Sequence, residues 1–357
     1  MGSVALPCVS ILIAGFMIAL LWPWLSWAQP LPAQVELAPA ADIDTADPRA
    51  SAARRGQQLF ARVWTADVPG QASEFDGLGP LFTERSCLGC HEGANGGRAH
   101  AKDRIAPHNL LVDPRLGFGG HLQDRAVLFD DPEVFIRNGH PHWPEQSRPL
   151  ATERFARRVA PSLRTVGLIL ALSDAQVADR ADPDDANGDG IRGQVPVGRF
   201  GWKGEQVSLD AQILAAFRED LGVERAELGP DHVASIAAYL THLQPPRRAQ
   251  APHYFGDLGC SACHVDNNGL YSDLLLHDIG NGLADPFGAQ ANLWRTAPLT
   301  DLADAFAVGA FLHDGRAASI DEAVRWHGGE AATARQRWLE ADDASKKAIE
   351  DWLREEL

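Results

Sequence analysis

Cys87-Leu-Gly-Cys90-His91 and Cys260-Ser-Ala-Cys263-His264 are two copies of one short pattern in a chain of 357 residues. In this pattern both thiols add to the vinyl groups of a haem as thioethers, and the adjacent histidine binds the iron. A zinc site would need four clustered nitrogen or sulfur ligands, and a disulfide would leave both histidines unexplained. The remaining cysteine, Cys8, lies near the N-terminus. The sequence therefore predicts two covalently bound c-type haems.

The N-terminal residues predict export. Residues 9–27 form an apolar run without Asp, Glu, Lys or Arg, and Ser26-Trp27-Ala28 has the small-x-small pattern of a signal-peptidase site. We expect a signal peptide over residues 1–28 and a periplasmic protein. The run approaches the ~20 residues needed to span a bilayer, so a retained membrane anchor is the alternative. Pro23 within the run favours cleavage.

Charge and composition limit the partners. With 48 acidic and 32 basic residues the chain carries a net charge of −16, which argues against nucleic acid and anionic membrane surfaces as partners. The same charge suits a basic redox partner such as a cytochrome or a cupredoxin, although solubility alone explains it equally well. A content of 45% hydrophobic and 22% charged residues is that of a globular chain.

Composition also divides the chain into a leader and two modules. Residues 29–53, rich in Ala, Pro and Asp, predict a flexible leader, and the Pro- and Arg-rich residues 244–252 predict a linker. We expect a first cytochrome c-like haem module over residues 54–243 and a second over residues 253–357. The Gly-, Pro- and His-rich residues 92–160 predict a long loop-rich insertion that wraps the first haem.

The predicted fold class is mainly α. Apolar residues recur at helical spacing over residues 208–221, 231–243 and 345–357, whereas strand-like alternation is scarce. The segments Arg158-Val-Ala-Pro-Ser-Leu163 and Arg295-Thr-Ala-Pro-Leu299 form a weak internal repeat. This repeat supports two related haem modules.

Methionine usage restricts the axial ligands. Met1 and Met17 are the only methionines in the sequence, and both lie in the predicted signal peptide. The His/Met arrangement that raises the potential of cytochromes c is therefore excluded from the mature chain. His327 is the leading sixth ligand of the second haem, because a predicted helix begins at a capping box at Ser319, ends before Gly328 and carries His327 on its apolar face. The alternatives are His313, Tyr271 and His277.

The first haem leaves more choices open. Five histidines downstream of the first motif are candidates for its sixth ligand: His100, His108, His121, His140 and His142. An open distal side, available to peroxide or oxygen, is the alternative, and the chemistry would then need an acid–base residue. Glu133 is the catalytic candidate, against the simpler interpretation of a solvated loop carboxylate. Trp202 is a candidate electron relay between the haems, with core packing as the alternative.

A calcium site is the remaining candidate. Asp185, Asn187 and Asp189, with Gly190 after them, reproduce the first half of an EF-hand loop. Pro196 stands where the bidentate glutamate of such a loop is expected. We predict calcium at the three oxygen-bearing residues, and an Asp/Gly-rich turn without a metal is the alternative.

Several short motifs resemble those of a known family. Besides the second haem motif they are Leu276-His-Asp-Ile-Gly280, Trp294-Arg-Thr-Ala-Pro298, His313-Asp-Gly-Arg316, Trp326-His-Gly-Gly-Glu330 and, in the first half, Gly198-Arg-Phe-Gly-Trp202. With these motifs the chain resembles the dihaem oxidoreductases, also called thiol oxidoreductase-like, over about residues 75–357. That family is distantly similar to bacterial dihaem cytochrome c peroxidase and to the methylamine-utilisation dihaem enzyme.

The resemblance implies a two-module α-helical fold in which the two haems exchange electrons. It also implies that His327 takes the place of the distal ligand of the electron-transfer haem. The relatives have Met or Tyr there, so a histidine implies a lower potential. Calcium between the haems is a further implication. The Trp and the Gln or Glu that flank the peroxidatic haem of the relatives have no convincing match in this chain.

The expected function is that of a periplasmic dihaem oxidoreductase of a peroxidase-like kind. In this hypothesis the second haem passes electrons to the first, and hydrogen peroxide is the oxidant. One alternative is a non-catalytic dihaem electron carrier with both irons six-coordinate. Another is an oxidant-driven enzyme that modifies a second protein or a small thiol.

Overall fold

The computed structural model describes residues 48–65, 77–79, 81–91, 109–112, 125–126, 156–286, 288 and 290–355. The predicted signal peptide lies outside these residues. No helix within them is long and apolar enough to cross a membrane.

The described residues are mainly helical, as expected. The helices are α1 (Pro48–Ala61), α2 (Cys87–Cys90), α3 (Val166–Ala171), α4 (Asp174–Ala178), α5 (Leu209–Asp220), α6 (His232–His242), α7 (His253–Asp257), α8 (Ala303–Val308), α9 (Ile320–Trp326), α10 (Ala332–Glu340) and α11 (Asp343–Arg354). Short 3-10 turns are Arg225–Glu227, Cys260–Ala262 and Gly329–Ala331.

The strands in these residues form three antiparallel pairs. They are β1 (Leu81–Phe82) with β3 (Arg125–Ala126), β2 (Asn109–Val112) with β4 (Ala156–Val159), and β5 (Leu276–Asp278) with β6 (Leu293–Arg295). The first two pairs use residues of the region expected to be loop-rich. Strands of two to four residues are too short for an alternating pattern to be recognised, which explains the difference.

Helix α1 begins inside the stretch that was expected to be a flexible leader. Pro48 is its first residue, a position that suits proline because the N–H there has no helical partner. Ala53 is fully buried. A Cβ on Gly56 would lie 1.9 Å from the carbonyl oxygen of Ser235 in α6, so the two helix backbones approach closely. The packing of α1 against α6 explains why residues 48–53 are helical and not part of a flexible leader.

Two hydrophobic clusters form the core. The first joins α1, α5 and α6, where Trp64 packs edge-on against Phe217 with ring centroids 5.2 Å apart. Leu274 and Leu275, from the second predicted module, belong to this first cluster. The second cluster gathers α7, α9, α10 and α11 around the buried Trp338.

Side-chain caps begin the helices near the predicted positions. The hydroxyl of Ser208 accepts a backbone N–H in the first turn of α5, and that of Ser319 accepts the N–H of Glu322 in α9, both at 3.1 Å. Helix α11 begins earlier than predicted. Its cap is Asp342, whose carboxylate accepts the N–H of Ser345 at 2.7 Å.

Strand β4 connects the two halves of the chain. The N–H of Val159 donates to the carbonyl of His313 at 2.8 Å, and the carbonyl of Val159 accepts the indole N–H of Trp202 at 2.8 Å. Gln194 forms a β-bridge with Leu276 nearby. These contacts bring the repeat segments, the Trp202 turn and strand β5 together at one place.

Candidate haem-binding cavity

The first haem motif is a single helical turn, α2. It begins after Ser86, whose hydroxyl accepts the N–H of Gly89 at 3.1 Å. The N–H of His91 donates to the carbonyl of Cys87 at 2.9 Å. Residues four apart in a helix share one face, so the Cys87 thiol and the His91 imidazole lie on the same side.

The imidazole of His91 is neutral in this environment. Burial lowers the pKa of His91 to about 4, against the opposing effects of Asp220 and of the Pro161 backbone. Burial and the Asp220 carboxylate raise the pKa of the Cys87 thiol to about 12. The neutral imidazole is the form that binds a metal, and the thiol stays protonated at physiological pH.

The second haem motif begins with a tight 3-10 turn. Gly259 precedes it with a φ of 87°, a left-handed conformation that glycine adopts without strain. The N–H of His264 donates to the carbonyl of Cys260 at 3.0 Å. Nδ1 of His264 lies 3.2 Å from the carbonyl oxygen of Tyr271. When Nδ1 donates to that carbonyl, Nε2 is the nitrogen that is available to iron.

His327 lines the same cavity at the C-terminal cap of α9. Its Nδ1 lies 2.8 Å from the carbonyl oxygen of Ala323, so its Nε2 is also available. Burial, and next the neighbouring His327, lower the pKa of His264 to about 4, and burial lowers the pKa of His327 as well. Two buried, neutral imidazoles on the wall of one cavity are what bis-histidine ligation requires. The ligand role of His327 stays a prediction.

Two of the alternatives to His327 lie in different surroundings. The hydroxyl of Tyr271 donates to the carbonyl of Ala249 at 3.2 Å. The ring of His313 is stacked on Trp294, with centroids 3.6 Å apart and planes inclined by 17°. The hydroxyl of Tyr271 is thus occupied, whereas stacking does not occupy the ring nitrogens of His313, which also lines the cavity.

The third alternative, His277, is held between two carboxylates. Its Nε2 lies 2.9 Å from Oδ2 of Asp273, and its Nδ1 lies 2.6 Å from Oε2 of Glu330. Burial acts to lower the pKa of His277, but hydrogen bonds to Asp273, Cys263 and Glu330 raise it to about 12. Cys263, Asp273 and His277 are the one group of three ligand-type side chains that converges among the described residues. Both nitrogens of His277 are engaged by carboxylates, so His277 forms ion pairs with Asp273 and Glu330.

Glu330 joins this ion pair to other segments. Its Oε1 accepts the N–H of Asp278 at 3.0 Å, and its Oε2 accepts the N–H of Arg192 at 3.0 Å. Hydrogen bonding to His277 contributes to a lowered pKa of Glu330, against the raising effect of burial. The carboxylate therefore connects β5 with the end of the Asp-rich loop.

The predicted calcium loop is closed by its own hydrogen bonds. Oδ1 of Asp185 accepts the N–H of Gly190 at 3.0 Å, Oδ1 of Asn187 accepts that of Asp189 at 2.9 Å, and Oδ1 of Asp189 accepts that of Ile191 at 2.8 Å. Within the described ranges the carboxylates of this loop do not form a convergent group of three. Calcium binding here stays a prediction.

Both haem motifs open onto one cavity of about 1170 Å³. This volume exceeds the roughly 300–1,000 Å³ of a typical site for one small molecule. Its wall carries every attachment and ligand residue of the two motifs and the proposed sixth ligand: Cys87, Cys90, His91, Cys260, Cys263, His264 and His327. The residues present therefore fit two haems, because thiols and neutral imidazoles line a space large enough for more than one bulky group.

The remaining candidates are the residues predicted near the first haem and the predicted electron relay, Trp202. Glu133 and the candidate ligands of the first haem (His100, His108, His121, His140 and His142) lie outside the described residues. Trp202 lines the cavity and lies edge-on to His313 at a centroid distance of 6.3 Å. This position is compatible with both interpretations of Trp202, as an electron relay between the haems and as a core-packing residue.

Sequence reasoning missed a charged group on the cavity wall. Arg158 donates to Oδ2 of Asp285 at 2.8 Å, and Nζ of Lys203 lies 3.4 Å from the same oxygen and 3.9 Å from the ring centroid of Trp294. Burial and three nearby cations lower the pKa of His313 to about 2, so this histidine is neutral. The repeated Arg-x-Ala-Pro segment was the signal that could have identified Arg158.

Two Cys-x-x-Cys-His motifs on one cavity, carried by a mainly helical fold, are the features of a dihaem protein. Residues 250–355 match the model of a family described as "Di-haem oxidoreductase, putative peroxidase". The family resemblance and the expectation of an oxidoreductase are confirmed by this match.

No curated protein matches the chain. Among solved structures, hydrazine synthase of Kuenenia stuttgartiensis pressurised with 20 bar xenon is similar over 85% of this chain and 87% of that chain, with 16% sequence identity and a TM-score of 0.44. A TM-score at this level is too low to support an argument.

Proposed function

We propose that this chain is a periplasmic dihaem c-type cytochrome with peroxidase-like oxidoreductase activity. The second haem, at Cys260, Cys263 and His264, takes electrons from a partner protein and passes them to the first haem, at the Cys87–His91 motif, where peroxide is reduced. The observation that carries this proposal is the single cavity lined by both motifs.

Haem supplies the iron that exchanges electrons and that binds peroxide where one of its sides is open. Residues of this chain hold and orient the group. The cysteines provide the covalent attachment, and the histidines of the motifs provide neutral imidazoles. The carbonyls of Tyr271 and Ala323 select the free nitrogen of His264 and His327, an effect that outer hydrogen bonds have on metal-binding histidines.

A difference between the two haem environments supports electron flow toward the first haem. His264 and His327 would supply the second iron with two imidazole ligands. In the described part of the cavity wall the other histidines besides His91 are His277 and His313. One is held between carboxylates and the other is stacked on tryptophan. His277 is therefore not available to the first iron. The proposal requires a first haem whose distal side is open to an oxidant.

The experiment is a spin-state and ligand-binding titration of the purified holoprotein. We expect two covalent haems per chain, one low-spin and one that binds cyanide, carbon monoxide or peroxide, together with oxidation of a reduced electron donor by peroxide. Two low-spin haems that ignore all three ligands would instead establish the non-catalytic electron carrier.

Location and partner belong to the same proposal. The apolar N-terminal run and the Ser26-Trp27-Ala28 pattern support export, and covalent c-type haem is consistent with it. The net charge of −16 supports a basic electron-transfer partner, such as a cytochrome or a cupredoxin. Binding to such a partner should weaken as the ionic strength rises.

A further inference from the structure

Two arginines on the cavity wall are buried, and they differ in their counterions. Arg158 is 8% exposed and Arg295 is 7% exposed. They occupy equivalent positions in the two Arg-x-Ala-Pro segments. Arg158 forms an ion pair with the carboxylate of Asp285 at 2.8 Å. Arg295 forms no ion pair with any residue that the structure describes.

The hydrogen bonds of Arg295 go to neutral acceptors. Its Nε donates to the carbonyl of Gly201 at 3.1 Å, and its Nη1 donates to that of Thr296 at 3.3 Å. A guanidinium has five N–H donors in a planar fork, so these two bonds leave donors for a further acceptor. Because Arg295 lines the cavity, an acceptor bound there can reach it.

Arg295 keeps its positive charge in this position. Burial lowers the pKa of Arg295 to about 10, with Glu205 and Asp273 acting in the opposite direction, which still leaves it protonated at physiological pH. Asp273 is already bound to His277 at 2.9 Å. A buried charge without a partner is costly, and buried charges in proteins are paired. Among the residues that the structure describes, no anion is paired with Arg295.

We infer that Arg295 binds a propionate carboxylate of a haem held in the cavity. The inference rests on the proposed function to the extent that it requires haem at the two motifs. Propionates are the anionic groups that a haem brings into a cavity, and arginine pairs with carboxylates through two parallel N–H bonds. Arg158 is not the candidate, since Asp285 already neutralises it.

Both haems are possible sources of this carboxylate. The backbone N–H of Arg295 donates to the carbonyl of Trp202 at 3.1 Å, in the first half of the chain. Asp273, whose charge acts on Arg295, donates its N–H to the carbonyl of Cys263 in the second haem motif at 3.0 Å. Arg295 thus lies between the segments that surround the two haems.

The test compares Arg295→Met, Arg295→Lys and the exposed control Arg157→Met as holoproteins. The reduction potential of each haem is measured as a function of pH, and the second haem is identified as the one that changes spin state in His327→Ala. Arg295→Met should raise the pKa of one propionate by about one unit or more, since it loses an opposite charge. The pH at which one haem potential changes should therefore rise with that pKa. The potential itself should fall, because the variant loses a positive charge near the haem.

The outcome also assigns the source. A shift in the second haem assigns its propionate, and a shift in the other assigns that of the first. Arg295→Lys keeps the charge and should show less than half of the shift, while Arg157→Met should behave as the wild type. Unchanged pH profiles of both haems in Arg295→Met, with both haems attached, would overturn the inference.

A second measurement uses the wild type alone and therefore tests the inference even when the Arg295 variants do not fold. Infrared difference spectra of the wild type with haem labelled with ¹³C in its propionates report the ionisation of each propionate directly. One propionate should stay ionised about one pH unit below an ordinary carboxyl group. Ordinary titration of every propionate contradicts the inference. A holoprotein that is inert to peroxide would refute the proposed function without affecting this result.

Discussion

Nδ1 of His327 lies 2.8 Å from the carbonyl oxygen of Ala323, one turn earlier in α9. The helix that begins at Ser319 ends at this histidine, so an unused carbonyl of its last turn orients the ring. On the facing motif, Nδ1 of His264 is oriented in the same way by the carbonyl of Tyr271 at 3.2 Å. Both imidazoles therefore leave Nε2 available, as the proposed ligation of the second haem requires.

Replacing His327 by alanine should convert the second haem from low-spin to high-spin. The iron would lose its sixth ligand, and carbon monoxide should then bind to one more haem per chain than in the wild type. Electron paramagnetic resonance and the carbon monoxide titration measure both effects. The exposed His253→Ala is the control, and a low-spin signal retained by His327→Ala would mean that another residue is the ligand.

Replacing both Cys260 and Cys263 by serine should halve the covalent haem content. The thioether bonds need the thiols, and the first motif does not depend on them. The pyridine haemochrome spectrum and the mass of the denatured chain should report one haem where the wild type carries two. Loss of no haem, or a mass without haem in the wild type, would contradict covalent attachment.

His277→Gln should destabilise the fold by roughly 3–5 kcal/mol at neutral pH, because it breaks a buried ion pair with Asp273 and Glu330. The pKa of His277 is raised from 6.5 to about 12, so its contribution is complete below pH 6.5 and is lost as the pH rises toward 12. Denaturant unfolding at several pH values should show the difference from wild type shrinking above pH 6.5. A difference that is constant with pH would show that His277 does not titrate as described.

Gly56→Ala should destabilise the packing of α1 on α6 by about 1–3 kcal/mol or more, because the added Cβ would lie 1.9 Å from the carbonyl oxygen of Ser235. The two backbones would have to separate. The exposed Gln58→Ala, in the same helix, is the matched control and should be nearly neutral or slightly stabilising. Equal unfolding midpoints for the two variants would show that α1 does not pack as described.

Calcium should raise the unfolding midpoint of the wild type if the loop at Asp185–Asp189 binds it. Asp185→Asn removes a charged ligand and suits the left-handed φ of 52° at this position, so it should abolish the effect without breaking the turn. Asp179→Asn, on the exposed end of α4, should leave it intact. Chelation that alters neither haem spectra nor stability would exclude the site.

The chemistry of the chain follows from local patterns. Two cysteines and a histidine within five residues are enough to predict haem attachment, since all three groups would act on one haem. The absence of methionine beyond Met17 is a property of composition and excludes one ligand pair outright. The helix before His327 was also predictable, because caps and apolar spacing act within a few turns.

Long-range pairing was decided by the tertiary fold. Three histidines and a tyrosine were candidates for the sixth ligand of the second haem, yet in the fold His277 is held by Asp273 and Glu330 and the ring of His313 is stacked on Trp294. Likewise Arg158 and Arg295 have the same sequence context, Arg-x-Ala-Pro. Among the described residues, the fold places a counterion, Asp285, beside Arg158 only. Which polar groups share a partner in a buried site depends on contacts between distant segments, and no local pattern encodes those contacts.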